Sequence, residues 1–217
     1  ALLGLEGSFF FGDALRHLRR LDSTLIDSAF TKTQNGLRVL AHSNTDEPLE
    51  QTSAAELYML LSALRHHFQH IVVNLTGQPD GEALRTFVTH CDKLLWYVDQ
   101  NVLDCRRNLD VLNLWRNKGM KFEHTGLVID RYLRGIAPDV DALTKSFDLP
   151  VLISLPLSAE LRLNAKNQAV TLFELGPREA LSQGLKKIGE QLPKRSVASG
   201  KSSSIADKWL NRMWGAK

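Results

Sequence analysis

The sequence predicts an α/β fold with a mostly parallel central sheet flanked by helices. Three observations lead there. Short runs rich in Val, Ile and Leu alternate with segments of helical period, as expected when parallel strands are joined by crossover helices. The runs are apolar at successive positions, as strands covered on both faces require. The composition, 217 residues with 43% hydrophobic and 24% charged side chains, suits a sizeable core and excludes a disordered, collagenous or purely coiled-coil chain.

Five strands are expected, at residues 37–41, 70–75, 93–99, 125–130 and 150–155. The clearest helix lies at 101–117, where Val102, Cys105, Leu109 and Leu112 recur at spacings of three, four and three and form one stripe for the sheet. Ser53 with Glu56 three residues on opens a helix at 53–69 as a capping box, and Pro138 opens one at 138–147. Gly119 and Gly135 fall where turns are needed. Residues 193–204, Pro-Lys-Arg-Ser-Val-Ala-Ser-Gly-Lys-Ser-Ser-Ser, have little to bury and form a linker. The expected organisation is an α/β domain at 1–192, the linker, and a basic amphipathic helix at 205–217.

The net charge of +3 is unevenly placed. Residues 193–217 hold six basic side chains and one acid, which leaves 21 basic and 23 acidic groups for the body. The body thus offers no global basic surface, and nucleic acid is not an expected partner. No apolar run approaches the roughly 20 residues that span a bilayer. The first residues carry no basic region ahead of an apolar one, so no secretory leader is visible. Two cysteines, Cys91 and Cys105, form no Cys-x-x-Cys pair, which suits a reducing cytoplasm.

The residues alone propose no reaction. Gly200-Lys201-Ser202 resembles the end of a phosphate loop, but Arg195 stands where its first glycine belongs and no strand precedes it. His66, His67 and His70 cluster near the end of the 53–69 helix without a third ligand or a His-Glu-x-x-His order, and suit a helix C-terminus better than zinc. The Asn74-Leu75-Thr76 sequon ends an expected buried strand. No catalytic residue and no metal site are assigned.

The order of segments carries more. Arg20-Leu21-Asp22-Ser23-Thr24-Leu25-Ile26-Asp27-Ser28-Ala29 followed by Gly36-Leu37-Arg38-Val39-Leu40-Ala41 resembles the TadZ/CpaE pilus-assembly branch of the MinD/ParA ATPases. His70-Ile71-Val72-Val73-Asn74-Leu75 looks like the Walker B strand of that family. Residues 94–101, Arg106-Arg107-Asn108, 125–131 and 149–156 follow in the family's order. The resemblance implies a MinD/ParA-like doubly wound sheet, with Asn74, Gly77, Asp130, Arg131 and Pro156 at the nucleotide-binding positions. It also implies protein partners in a pilus or secretion machine and admits a homodimer.

The departures matter as much. The chain looks as if it starts downstream of the family's Walker A loop, so ATP and Mg are cofactors only if such a loop exists upstream. Asn74 replaces the Walker B Asp and cannot supply a carboxylate to a magnesium shell. Asp130 replaces the base-contacting Asn and sets an anion beside a purine edge. The residues themselves favour a simpler reading, with Asn74 capping a turn with Thr76 and Gly77 and Asp130 pairing with Arg131 on the surface. The chain is then either a fragment of an active ATPase or a degenerate member kept for docking.

On a helical wheel, Ile205, Ala206, Trp209, Leu210, Met213 and Trp214 fill one half of residues 204–215, opposite Lys208 and Arg212. Two Trp facing Lys and Arg match helices that lie in a membrane interface. The same pattern serves a helix docked on a partner or on its own body. The sequence therefore reads as a cytoplasmic docking protein, with an anionic membrane surface at the inner face, a protein partner or its own body open as the seat of the tail. An adaptor unrelated to pili remains a further reading.

Overall fold

A computed structural model of the chain describes Leu5, residues 7–43, Asp46 and residues 48–193. They fall into two compact units, 7–87 and 88–193.

The first unit begins with helix α1 (Phe11–Arg16) and helix α2 (Ser23–Ala29), whose cap Asp22 accepts a hydrogen bond from Leu25 N at 2.9 Å. A short antiparallel ribbon follows, β1 (Thr31–Lys32) with β2 (Arg38–Val39). Its turn needs Gly36, at φ +86°, where a side chain would be strained. Helix α3 (Ala54–His67) buries Leu57, Leu60, Leu61 and Leu64, the i, i+3, i+4, i+7 set of an amphipathic helix. Leu60 and Leu64 close over Ala14, Leu21, Ile26 and Phe30, while Leu57 and Leu61 meet Ala83 and Phe87 of helix α4 (Glu82–His90). The boundary between the units falls within α4.

The predicted capping box opens α3. Ser53 Oγ accepts from Glu56 N at 3.2 Å, and the Glu56 carboxylate accepts from Ser53 Oγ at 2.7 Å and Ser53 N at 3.0 Å. The hydroxyl first, and then the amide, hold the Glu56 carboxyl below its ordinary pKa. A lowered folded value means that the contribution is present above the unfolded value and is lost as pH falls through the folded one. Glu56→Gln is expected to cost about 0.5–1 kcal/mol at pH 7. In urea unfolding from pH 7 to 3, the gap between wild type and variant should close below roughly pH 4.3; a gap constant across that range contradicts the assignment.

The second unit holds a three-stranded parallel sheet in the order β3 (Leu94–Val98), β4 (Thr125–Tyr132), β5 (Val151–Pro156). Trp96 pairs with Leu127 and Val98 with Ile129, while Val128 pairs with Ile153. Helix α5 (Val102–Asn117) joins β3 to β4, and helix α6 (Val140–Phe147) joins β4 to β5. The chain continues through α7 (Ala159–Gln168), α8 (Leu172–Leu175) and α9 (Ala180–Glu190).

Alternation along the strands gives the sheet two faces. Val128 and Leu155 pack against Leu181 and Ile188 of α9. Trp96 meets Trp115 of α5 edge-on, with ring centroids 5.7 Å apart. Leu112, Leu143 and Phe147 of α5 and α6 are fully buried. Gly184 lets α9 approach the sheet, since a Cβ there would sit 2.6 Å from Leu155 Cδ2. Arg116 of α5 donates to the carbonyls of Phe147 at 2.8 Å and Asp148 at 3.2 Å, satisfying the end of α6.

Three of the five expected strands form this sheet, and the 37–41 run shortens to β2. Residues 70–75 are a correction: they form no strand, and no strand of the described residues pairs with them. An apolar run becomes a strand only when a neighbour takes up its backbone groups. Ile71 and Leu75 reach the core of the first unit, whereas Val72 stands 81% exposed.

Helix α5 starts at its Asn101 cap, and Val102, expected on its buried stripe, is exposed, while Cys105 and Leu112 are buried. Helix α6 starts two residues later than expected, because Asp139 caps it through Ala142 N at 2.8 Å. Gly119 and Gly135 do sit in turns, at φ +80° and +78°. Among the described residues no helix is long and apolar enough to cross a membrane. The linker beyond Pro193 and the tail residues Ile205, Lys208, Trp209, Arg212, Met213 and Trp214 lie outside the described residues.

Candidate functional site

Open parallel sheets bind ligands beyond the carboxyl ends of their strands. In the second unit those ends bring together Tyr97 and Val98 of β3, Asp130 of β4 and Pro156 of β5. Arg131 follows Asp130 at φ 52° and Ser158 precedes α7 at φ 40°. Left-handed backbone at a non-glycine residue costs about 1–2 kcal/mol, so both positions are held by their surroundings.

Arg162, on the first turns of α7, reaches back over the strand ends. Its Nη1 donates to Asp130 Oδ2 at 3.2 Å and its Nη2 to Asp130 Oδ1, a bidentate pair. The same Nη2 also reaches the Pro156 carbonyl at 3.3 Å, and Nε donates to the Leu157 carbonyl at 2.8 Å. The two side chains retain only 26% and 23% of their exposure. The Tyr97 hydroxyl stands beside this pair: burial, then the Asp130 carboxylate, push its pKa up, and Arg162 partly offsets them.

Gln100, just past β3, fixes the loop that leaves β4. Its Oε1 accepts from Leu133 N at 2.7 Å, and its Nε2 donates to the carbonyls of Ile136 at 2.8 Å and Pro138 at 3.0 Å.

Of the residues picked from sequence, Asp130, Arg131 and Pro156 share this crevice. Asn74 and Gly77 belong to the first unit. Asn74 Oδ1 accepts from Thr76 N at 3.0 Å, an Asx turn, and Gly77 continues it at φ +77°. The sequence reading missed Arg162 and Gln100. Neither lies in a motif, and the only available signal was an acid at a strand end, which needs a cation once partly buried.

These groups are engaged with one another. Both Asp130 carboxylate oxygens face the Arg162 guanidinium, which also answers two backbone carbonyls, and no glycine-rich cradle follows any strand of this sheet. Among the described residues no three His, Cys, Asp or Glu side chains gather as they would around a metal. The sheet's opposite end carries a cavity of about 440 Å³, lined by Cys91, Leu94, Lys118, Met120, Lys121 and His124 among others.

No family model matches the chain, and no curated protein matches it in sequence. Solved structures do resemble it. A ParA family ATPase from Chlorobium tepidum superimposes with a TM-score of 0.75 at 15% identity, over 87% of this chain and 78% of that one. MinD of Aquifex aeolicus, in a MinC:MinD cell division complex, gives 0.60 at 16% identity over 90% and 80%. The cell division ATPase MinD of Pyrococcus furiosus gives 0.59 at 15% identity over 87% and 77%. At such identities the likeness speaks for architecture, and the chain has the fold of the ParA and MinD ATPases.

Proposed function

We propose that this chain is a docking protein on a MinD/ParA-like scaffold that neither binds nor hydrolyses ATP by itself. The observation that carries the reading is the Arg162–Asp130 pair, which closes the crevice where such a sheet would hold its ligand. Asn74, engaged in its own turn, supports it. The TadZ/CpaE-like order of segments makes a pilus or secretion machine the proposed setting, and the MinC:MinD complex among the similar structures is a precedent for protein partners. The tail at 205–217, two Trp opposite Lys208 and Arg212, is proposed to seat the protein on an anionic membrane surface.

A second reading, the C-terminal portion of an active ATPase, is favoured by the share of the neighbours' length left uncovered, 22% for the ParA family ATPase. One experiment separates them. The chain is incubated with ATP, Mg and anionic vesicles, then assayed for phosphate release and for sedimentation with the vesicles. Docking predicts release at the protein-free rate, with sedimentation that is lost on truncation at Leu192. Release proportional to protein concentration shifts the assignment to the ATPase.

A further inference from the structure

We infer that the outer edge of β3 pairs with the same edge of a second copy, joining two sheets across a two-fold axis. The strands stand in the order β3, β4, β5, and among the described residues no strand pairs with the outer side of β3.

The two edges of this sheet differ. β5 follows Pro150 and ends on Pro156, and its register with β4 shifts along its length. Prolines and irregularities of this kind blunt an edge against further pairing. β3 has no proline, and its register with β4 runs unbroken from Leu94 opposite Thr125 to Val98 opposite Ile129. An apolar strand, Leu94-Leu95-Trp96-Tyr97-Val98, is thus left with open backbone, and open backbone of this kind is satisfied by another strand.

Alternation fixes which groups are open. Leu94 N donates to the His124 carbonyl at 3.1 Å. In an unbroken parallel ladder Leu94, Trp96 and Val98 then bond to β4, while the N–H and C=O groups of Leu95 and Tyr97 point to the free side. The Tyr97 residue is 45% exposed there.

Charge selects the occupant and its direction. In an antiparallel pair centred on Trp96, Leu95 stands opposite Tyr97 of the second copy, and such a pair exchanges both of its N–H···O bonds. The same register sets Lys93 opposite the second copy's Asp99 and Asp92 opposite its Gln100, so the charged ends of the strand complement themselves. Asp130, beside Tyr97, is already answered by Arg162. A parallel copy in register would instead bring Lys93 to Lys93 and Asp99 to Asp99. The two-fold pairing also closes: the joined sheet takes three strands from each copy, and both of its outer edges are the blunted β5. Its centre is one short ladder, and interfaces below about 1,200 Å² are weak, so the dimer is expected to be reversible.

Sedimentation velocity of the full chain from about 1 to about 500 μM tests this, a span that reaches weak complexes. The sedimentation coefficient should rise with concentration from monomer to dimer. Tyr97→Pro removes an N–H that faces the open side and leaves the bonds to β4 in place, so it should hold the chain monomeric. Lys93→Glu sets a carboxylate against Asp99 and should weaken the dimer at least about tenfold, whereas Lys93→Glu with Asp99→Lys reverses both charges and should restore it. Circular dichroism checks that each variant is folded. Amide exchange at Leu95 and Tyr97 should slow as concentration rises.

A wild-type chain that stays monomeric throughout overturns the inference. So does a dimer that Tyr97→Pro and Lys93→Glu leave untouched, which would place the contact on another surface, or one that the folded charge reversal does not restore.

Discussion

Phe147→Ala is expected to destabilise the second unit by about 3–5 kcal/mol. Phe147 is fully buried at the end of α6, on the α5 side of the sheet with Leu112 and Leu143. Its carbonyl accepts from Arg116, so the ring and the helix end are anchored at one place. Truncation leaves a cavity that neighbours tied into a three-stranded sheet cannot fill. Since a domain of this size is stable by roughly 5–15 kcal/mol, the loss is a large share of the total. Urea unfolding followed by the fluorescence of Trp96 and Trp115 measures it, with the midpoint moving down at a constant slope. A cost under about 1 kcal/mol would mean that this layer does not form the core of the unit.

Arg162→Ala is expected to cost about 1–3 kcal/mol, below the range for a fully buried pair because both side chains keep part of their exposure. The substitution leaves the Asp130 carboxylate without its cation and the Leu157 and Pro156 carbonyls without a donor. Arg162→Met with Asp130→Leu removes both charges together and should recover most of the loss. A pair held only by surface attraction predicts that 1 M salt abolishes the single variant's cost; partial burial predicts that most of it persists.

What was legible in the sequence was what local chemistry decides. The parallel strands at 93–99, 125–130 and 150–155 announced themselves as apolar runs, and the box at Ser53 and Glu56 is built from residues three apart. The 70–75 run misled because a strand is a property of a pair, and apolarity does not reveal whether a neighbour is there. Val102 misled because its period is that of the buried stripe, while on the first turn of α5, directly after the Asn101 cap, it stands exposed. The site was half visible. Asp130 could be flagged as an acid at a strand end, but Arg162, 32 residues away, is brought to it only by the path of β5 and α7. The same applies to Gln100, whose three hydrogen bonds span 33 to 38 residues and leave no trace in local spacing.

The central proposal is that the Arg162–Asp130 pair at the carboxyl ends of this sheet keeps nucleotide out, and that the scaffold docks without it. Calorimetric titration of the chain with ATP and Mg tests it most directly. The account predicts no saturable heat up to about 1 mM ATP, a limit corresponding to roughly 4 kcal/mol of binding free energy. A micromolar dissociation constant, lost in Asp130→Ala, would contradict it by showing that Arg162 yields the crevice to the base.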